Sequence, residues 1–268
     1  MKRGEKMCFV KVLWTGGFDS TYRVLQLSRD GVDIQPYYVH HPERGSASIE
    51  LERIDKITRI INDDPNLPGK VLPLKVIPHQ ESPEDKYDRA RHAINIRNFK
   101  TGKQYSYIAR HTVGIEGLEY GVDRDVGKAN TTCTTLRILG KLEYVDEFTH
   151  KYYRLVQEGT DPALLTLFGT KRFPLMEIDK QSMKRDYEDW GYKHIMDLTW
   201  FCNAPIQGEV CGTCVPCRYA SKHGFFYRLP WKAKLRYRKY QIKQLLKKTP
   251  AYPVFLAIKA RLRQTETG

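Results

Sequence analysis

Val12-Leu13-Trp14-Thr15-Gly16-Gly17-Phe18-Asp19-Ser20-Thr21 decides how this chain is read. An apolar run from Cys8 to Trp14 stops at two glycines. Hydroxyl residues and an acid surround the glycines, and Tyr22-Arg23-Val24-Leu25-Gln26-Leu27 follows with helical spacing. The pattern predicts a strand, a tight loop and a helix start. Paired glycines let the backbone turn its amides inward without Cβ clashes. Those amides, the helix N-terminus and the hydroxyls of Thr15, Ser20 and Thr21 would form a pocket for an anion, most naturally a phosphate. The plainer alternative is a turn that only joins a strand to a helix.

Outward from the loop, the first part of the chain alternates strand and helix. Ile34 to His40 reads as a second strand and Val71 to Ile77 as a third. Between them, Ile49, Ile54, Ile57, Ile60 and Ile61 recur at helical intervals. Such alternation predicts an α/β fold, a parallel sheet with helices on both faces. Ligands then bind beyond the carboxyl ends of the strands, where the glycine loop and the segment after His40 would sit. Further on, helices are expected over Pro83 to Asn98, around Tyr105 to Val113 and over Thr135 to Leu155. A strand end is expected at Tyr120-Gly121-Val122-Asp123. Phe173 to Lys180 reads as a short strand entering a helix capped by Asp179, which runs to about Trp190 and stops at Gly191. A short helix is expected around Tyr219.

The chain has 268 residues, with 45 Lys and Arg against 31 Asp and Glu. The formal charge of +14 is concentrated late: from Arg218 to Gly268 there are 14 basic residues and one acid. The preceding part is close to neutral, as in an ordinary soluble enzyme. No run approaches the roughly 20 apolar residues of a spanning helix. The Cys8 to Trp14 run, broken by Lys11, does not resemble a secretory leader. The cytoplasm is the expected compartment.

Four of the six cysteines fall in one short segment, at Cys202, Cys211, Cys214 and Cys217. Two CxxC pairs share Cys214, and a fourth thiol lies nine residues upstream, which is metal spacing rather than disulfide spacing. Four thiolates suit a structural Zn2+ with no open position. An iron–sulfur cluster takes the same ligands, and a redox pair or buried thiols remain alternatives. Cys8 reads as a core residue of the first strand. Cys133, in a Thr-rich stretch, can face a pocket but is not expected to be a nucleophile.

The loop Thr15-Gly16-Gly17-Phe18-Asp19-Ser20-Thr21 resembles the pyrophosphate loop, SGGxDS[ST], of the N-type ATP pyrophosphatase (PP-loop) superfamily. The late cysteine spacing is similar to that of one branch, 7-cyano-7-deazaguanine synthase. Phe173-Pro174-Leu175-Met176-Glu177-Ile178-Asp179-Lys180 resembles that branch's PLxxxDK element, and Trp190-Gly191 and Thr199-Trp200-Phe201-Cys202 fall where it has similar residues. The resemblance runs from about Phe9 to His223 and is poor in the middle. There, Lys100 to Tyr105 and Gly121 to Gly127 match neither of the family's substrate-reading segments. It implies an adenine-nucleotide α-hydrolase-like, Rossmann-like domain over residues 1–200 and a four-cysteine zinc knuckle over 201–224; beyond it, a basic helical tail is expected over 225–268.

The chemistry the resemblance implies is queuosine-type: ATP-dependent activation of a carboxylate, then amidation by ammonia and nitrile formation. Thr15, Gly16, Gly17, Phe18, Ser20 and Thr21 would hold the departing pyrophosphate. Asp19 would hold Mg2+ or orient the loop, and Lys180 would meet the developing charge. Asp19, Ser20 and Lys180 are thus the expected catalytic residues. His40 falls where the family contacts adenine and ribose, although histidines at a strand end more often pack or cap. The rivals are a PP-loop enzyme activating a tRNA base and a nucleotide-binding relative without turnover.

The basic tail interleaves cations with Trp231, Tyr237 and Tyr240, and a second short amphipathic helix is expected over Val254 to Arg263. It suits a nucleic acid, an anionic membrane surface, or docking on the body or on a second copy in a homodimer.

Overall fold

A computed structural model describes residues 9–41, 44–79, 85–99, 101–124, 131–147 and 150–248. Cys8, part of the Gly121 to Gly127 segment and the second tail helix lie outside the described residues. The chain divides into two compact units, Met1–Trp200 and Phe201–Gly268.

The first unit carries strands β1 (Phe9–Leu13), β2 (Asp33–Val39), β3 (Lys75–Ile77), β4 (Leu118–Glu119), β5 (Leu142–Glu147), β6 (His150–Leu155) and β7 (Lys171–Phe173). Its helices are α1 (Phe18–Arg29), α2 (Ala47–Asp63), α3 (Lys86–Asn95), α4 (Lys103–His111), α5 (Thr132–Leu139), α6 (Pro162–Phe168), α7 (Lys180–Asp189) and α8 (Lys193–Met196). The strands form one sheet in the order β3-β2-β1-β4-β7-β6-β5. The first five are mutually parallel, and β6 and β5 close the edge antiparallel. The α/β expectation therefore holds, with the all-parallel sheet corrected to a mixed one.

Alternation along the strands explains the two cores. Val10, Val12 and Trp14 point to one face, with Ile34 and Tyr38 of β2 and with Ile54, Ile57 and Ile61 of α2. Leu13, Tyr37 and Val39 point to the other, against Ile94, Ile108 and Leu136 of α3, α4 and α5. Period-two alternation of apolar residues on both faces is what a doubly covered sheet requires.

Thr135 to Leu155 is not one helix. Leu136, Leu139, Leu142 and Val145 recur every three residues and imitate a helical face. Gly140 breaks the pattern, because a Cβ there would collide with the Leu136 carbonyl and the Leu155 side chain. The chain beyond it forms the β5–β6 hairpin, held by pairs that only the fold brings together. Arg154 Nε lies 2.7 Å from Glu143 Oε2, Lys151 Nζ 3.2 Å from Asp146 Oδ2, and the rings of Tyr144 and Tyr153 are 5.2 Å apart. Cross-strand pairs of this kind stabilise antiparallel strands. The third strand is also shorter than expected. Pro73 has no N–H to give, so Val71 makes only an isolated bridge to Ile34. Gln35 Nε2 reaches the Pro73 carbonyl at 2.8 Å instead.

Lys171 is buried at the start of β7, and its ammonium donates to the Thr112 and Ile115 carbonyls at 3.1 and 3.4 Å, closing the end of α4. Burial, with a smaller push from Lys11, pulls its pKa down to about 8. Between that value and the ordinary 10.5, the unfolded chain keeps a proton the folded one has released, so stability rises with pH. We expect the unfolding free energy of the wild type to gain on that of Lys171→Met as the pH is raised through this window. Denaturant titrations at its two ends read the difference; parallel behaviour of the two proteins contradicts it.

Candidate functional site

Counting only the parallel strands, the sheet order reverses direction between β1 and β4, and loops leaving the carboxyl ends at such a point frame a crevice. A cavity of about 430 Å³ lies there, lined by Thr15, Gly17, Phe18, Asp19 and Ser20 of the glycine loop. Gly16 supplies the turn: its φ is 66°, and a Cβ would press on the Glu50 carbonyl at 3.1 Å. Gly17 caps the N-terminus of α1, whose first turn presents amides to the cavity. Across it, Gly121 passes so close that a Cβ would lie 3.1 Å from the Ser20 amide nitrogen.

Lys180, at the start of α7, joins the loop from a distant part of the chain. Asp179 caps this helix, accepting from the amides of Gln181 and Ser182 at 2.9 and 2.8 Å. That fixes the backbone from which the Lys180 ammonium reaches Asp19 Oδ1 and, at 3.2 Å, Asp123 Oδ2. One cation therefore bridges two carboxylates that line the cavity.

Gly16 and Lys180 do not themselves line the cavity, and two further expected residues sit elsewhere. Thr21 is fully buried, and its hydroxyl oxygen accepts from the Trp14 indole at 2.9 Å; it supports the loop from beneath and does not line the cavity. His40 does not line it either. Its amide donates to the Ile77 carbonyl at 2.9 Å, and its carbonyl accepts from the Tyr107 hydroxyl at 2.5 Å. His41, His79 and His111 pack around Tyr107 with ring centroids 4.3 to 5.7 Å apart, in stacked and tilted pairs.

Arg44, just beyond β2, lines the cavity in place of His40. It is held by Glu50 at 3.0 Å, and Glu50 also accepts from Tyr38 at 2.9 Å and Ser46 at 2.8 Å. Burial raises the Glu50 pKa against the lowering pull of Arg44. The far wall comes from α4 and the start of α5, with Tyr105 and Thr132 opposite the loop. Burial raises the Tyr105 pKa against the lowering pull of hydrogen bonds from Thr132 and Gln104. Cys133 lines the same wall, and burial pushes its thiol up, the wrong direction for a nucleophile. Sequence reasoning did not select Arg44, Tyr105 or Asp123. The signal for Arg44 and Asp123 was their place just past strand ends; nothing in the sequence marked Tyr105.

The second unit holds α9 (Val215–Lys222), a short 3-10 turn (Phe226–Arg228) and α10 (Trp231–Leu246). Its centre is the cysteine cluster. The sulfurs of Cys202, Cys211, Cys214 and Cys217 all lie within 4.8 Å of one another, and the group can hold a metal ion. Amides already point at them: those of Cys211, Thr213 and Cys214 donate to sulfurs at 3.2 to 3.4 Å. Gly212 takes a φ of 82°, and a Cβ there would overlap the Ala233 carbonyl of α10. Gly212→Ala is therefore expected to destabilise this unit by about 3 kcal/mol. A melting transition at lower temperature in the variant, with the cavity unit unchanged, is the readout.

No protein-family model matches the chain, and no curated protein matches it. Fold and site together define an α/β protein with a seven-stranded, mostly parallel sheet. A loop-and-helix cavity lies at its switch point, and a four-cysteine cluster that can bind a metal lies in a separate unit. Among the described residues, no helix is long and apolar enough to cross a membrane.

Proposed function

We infer that the chain is a PP-loop ATP pyrophosphatase that adenylates a substrate carboxylate, in the manner of 7-cyano-7-deazaguanine synthase. One observation carries the reading: Lys180 bridges Asp19 and Asp123 beside a glycine loop at the sheet's switch point. ATP would place its β- and γ-phosphates on the loop amides and the Ser20 hydroxyl. The acceptor carboxylate oxygen forms a bond to the α-phosphorus as the bond to the bridging oxygen breaks, and pyrophosphate leaves with the electron pair. Lys180 meets the charge that develops on pyrophosphate. A fixed cation there lowers the barrier because it is in place before the charge appears.

Asp19 and Asp123 are hard oxygen donors of the kind Mg2+ takes, and the ion would neutralise phosphate charge there. Arg44 supplies a further cation, steadied by Glu50, for the α-phosphate or the acceptor carboxylate. Ammonia then attacks the acyl carbon, AMP leaves, and the nitrogen sheds a proton to solvent, giving an amide that a second ATP would dehydrate to a nitrile.

The cysteine cluster is assigned to a structural zinc ion. Sulfurs about 2.3 Å from one Zn2+ in a tetrahedron stand about 3.8 Å apart. The Cys211–Cys217 and Cys202–Cys214 separations are 3.8 and 3.9 Å, the Cys214–Cys217 separation is 3.3 Å, and all four sulfurs lie within 4.8 Å of one another. Such a cage has room for one ion and no open position for a substrate.

The direct test incubates the purified protein with ATP, Mg2+, an ammonium salt and 7-carboxy-7-deazaguanine. AMP and pyrophosphate in equal amounts, dependent on the acid, are expected. Turnover with a different acid removes the named substrate alone; no AMP with any carboxylate overturns the reading.

A further inference from the structure

We propose that α10 rests on an anionic phospholipid surface. The helix has two faces. One docks on the cysteine cluster: Ala233 and Tyr237 are buried, and Arg236 donates to the Cys211 and Val210 carbonyls at 2.8 and 2.9 Å. Arg218 holds Tyr240 on the same side. On the opposite face Trp231, Leu235, Ile242, Leu245 and Leu246 recur at helical spacing and are 45–67% exposed. Single exposed apolar residues are ordinary; five on one stripe are not. The helix carries six Lys or Arg and no acid, and Lys247 and Lys248 follow it. Because both faces carry apolar groups, the helix is only weakly amphipathic by sequence, and the stripe emerges once the docked face is known.

Charge and apolarity together select the occupant. An RNA would neutralise the cations and leave Leu235, Ile242, Leu245 and Leu246 in water. A second copy of the stripe would set like charges against one another. An anionic bilayer interface takes both: the apolar stripe enters the acyl boundary and the flanking cations meet headgroup phosphates. Arg238, within the stripe, can extend its stem along it and keep its guanidinium at the headgroups. The stripe spans about 23 Å at the helical rise, long enough to lie flat across several headgroups. Residues beyond 248 continue the composition, with Phe255, Leu256 and Ile258 among Lys259, Arg261 and Arg263.

The test uses the full chain with phosphatidylcholine vesicles, with and without phosphatidylserine. Flotation should show binding at least about tenfold tighter with phosphatidylserine. Trp231 should shift its emission to the blue, over a constant background from the buried Trp14 and Trp200 and the half-buried Trp190. Leu235→Gln/Ile242→Gln/Leu245→Gln keeps every charge and alters only exposed positions. It should bind phosphatidylserine vesicles about tenfold or more weakly, with an unchanged melting profile. Equal binding by this variant overturns the proposal, because charge alone would explain the attachment. It is equally overturned by failure to bind vesicles, whether the chain instead binds RNA or forms a dimer that the variant dissociates.

Discussion

Lys180→Met should lower the rate of ATP-dependent pyrophosphate release by about a hundredfold to a thousandfold, the usual loss when a fixed charge at the developing anion is removed. The physical reason is specific to this geometry. Lys180 stands between Asp19 and Asp123, and its side chain is largely shielded from solvent. Without the ammonium, the two carboxylates face the phosphates with only the Mg2+ they would hold as counter-charge, so repulsion adds to the lost attraction. The helix start itself should survive, because Asp179 caps α7 independently of the Lys180 side chain. Lys180→Met should therefore melt close to the wild type while turnover collapses, and Lys180→Arg should recover part of the rate by restoring the charge. Turnover of Lys180→Met at the wild-type rate would sink the catalytic assignment.

Cys214→Ser should release the metal and unfold the second unit while the first stays folded. The purified wild type should carry one zinc per chain. At structural zinc sites the apparent binding free energy is on the order of 10 kcal/mol, and binding is inseparable from folding. Among the described residues of this unit the buried apolar ones beside the cysteines are few, Val210, Phe225, Leu229, Ala233 and Tyr237 among them. Elemental analysis reads the stoichiometry. Limited proteolysis reads the consequence, with new cleavage after residue 200 and a protected fragment ahead of it. A protein that contains no zinc and is indifferent to chelators would contradict the assignment.

The loop and the cysteines were legible because their signals are local. Two adjacent glycines after an apolar run, and four thiols with fixed spacing, carry their meaning whatever surrounds them. The hairpin was not legible, because a three-residue recurrence of apolar side chains looks the same on a helix and on an edge strand. Tertiary pairing of Glu143 with Arg154 and of Tyr144 with Tyr153 chose the strand. Thr21 shows the same limit at the scale of one residue. Its hydroxyl is equally suited to a phosphate or an indole, and only the depth of α1 against Trp14 selects the indole.

The sequence by itself determined the strand–loop–helix opening, the start of α7 at Asp179 and the four-cysteine cluster, because each follows from neighbouring residues and backbone stereochemistry. Tertiary structure alone decided that Asp19 and Asp123 line one cavity with Lys180 bridging them, that Arg44 replaces His40 at its wall, and which face of α10 is exposed. Those placements depend on strand order and on side chains far apart in the chain, and local patterning carries no information about either.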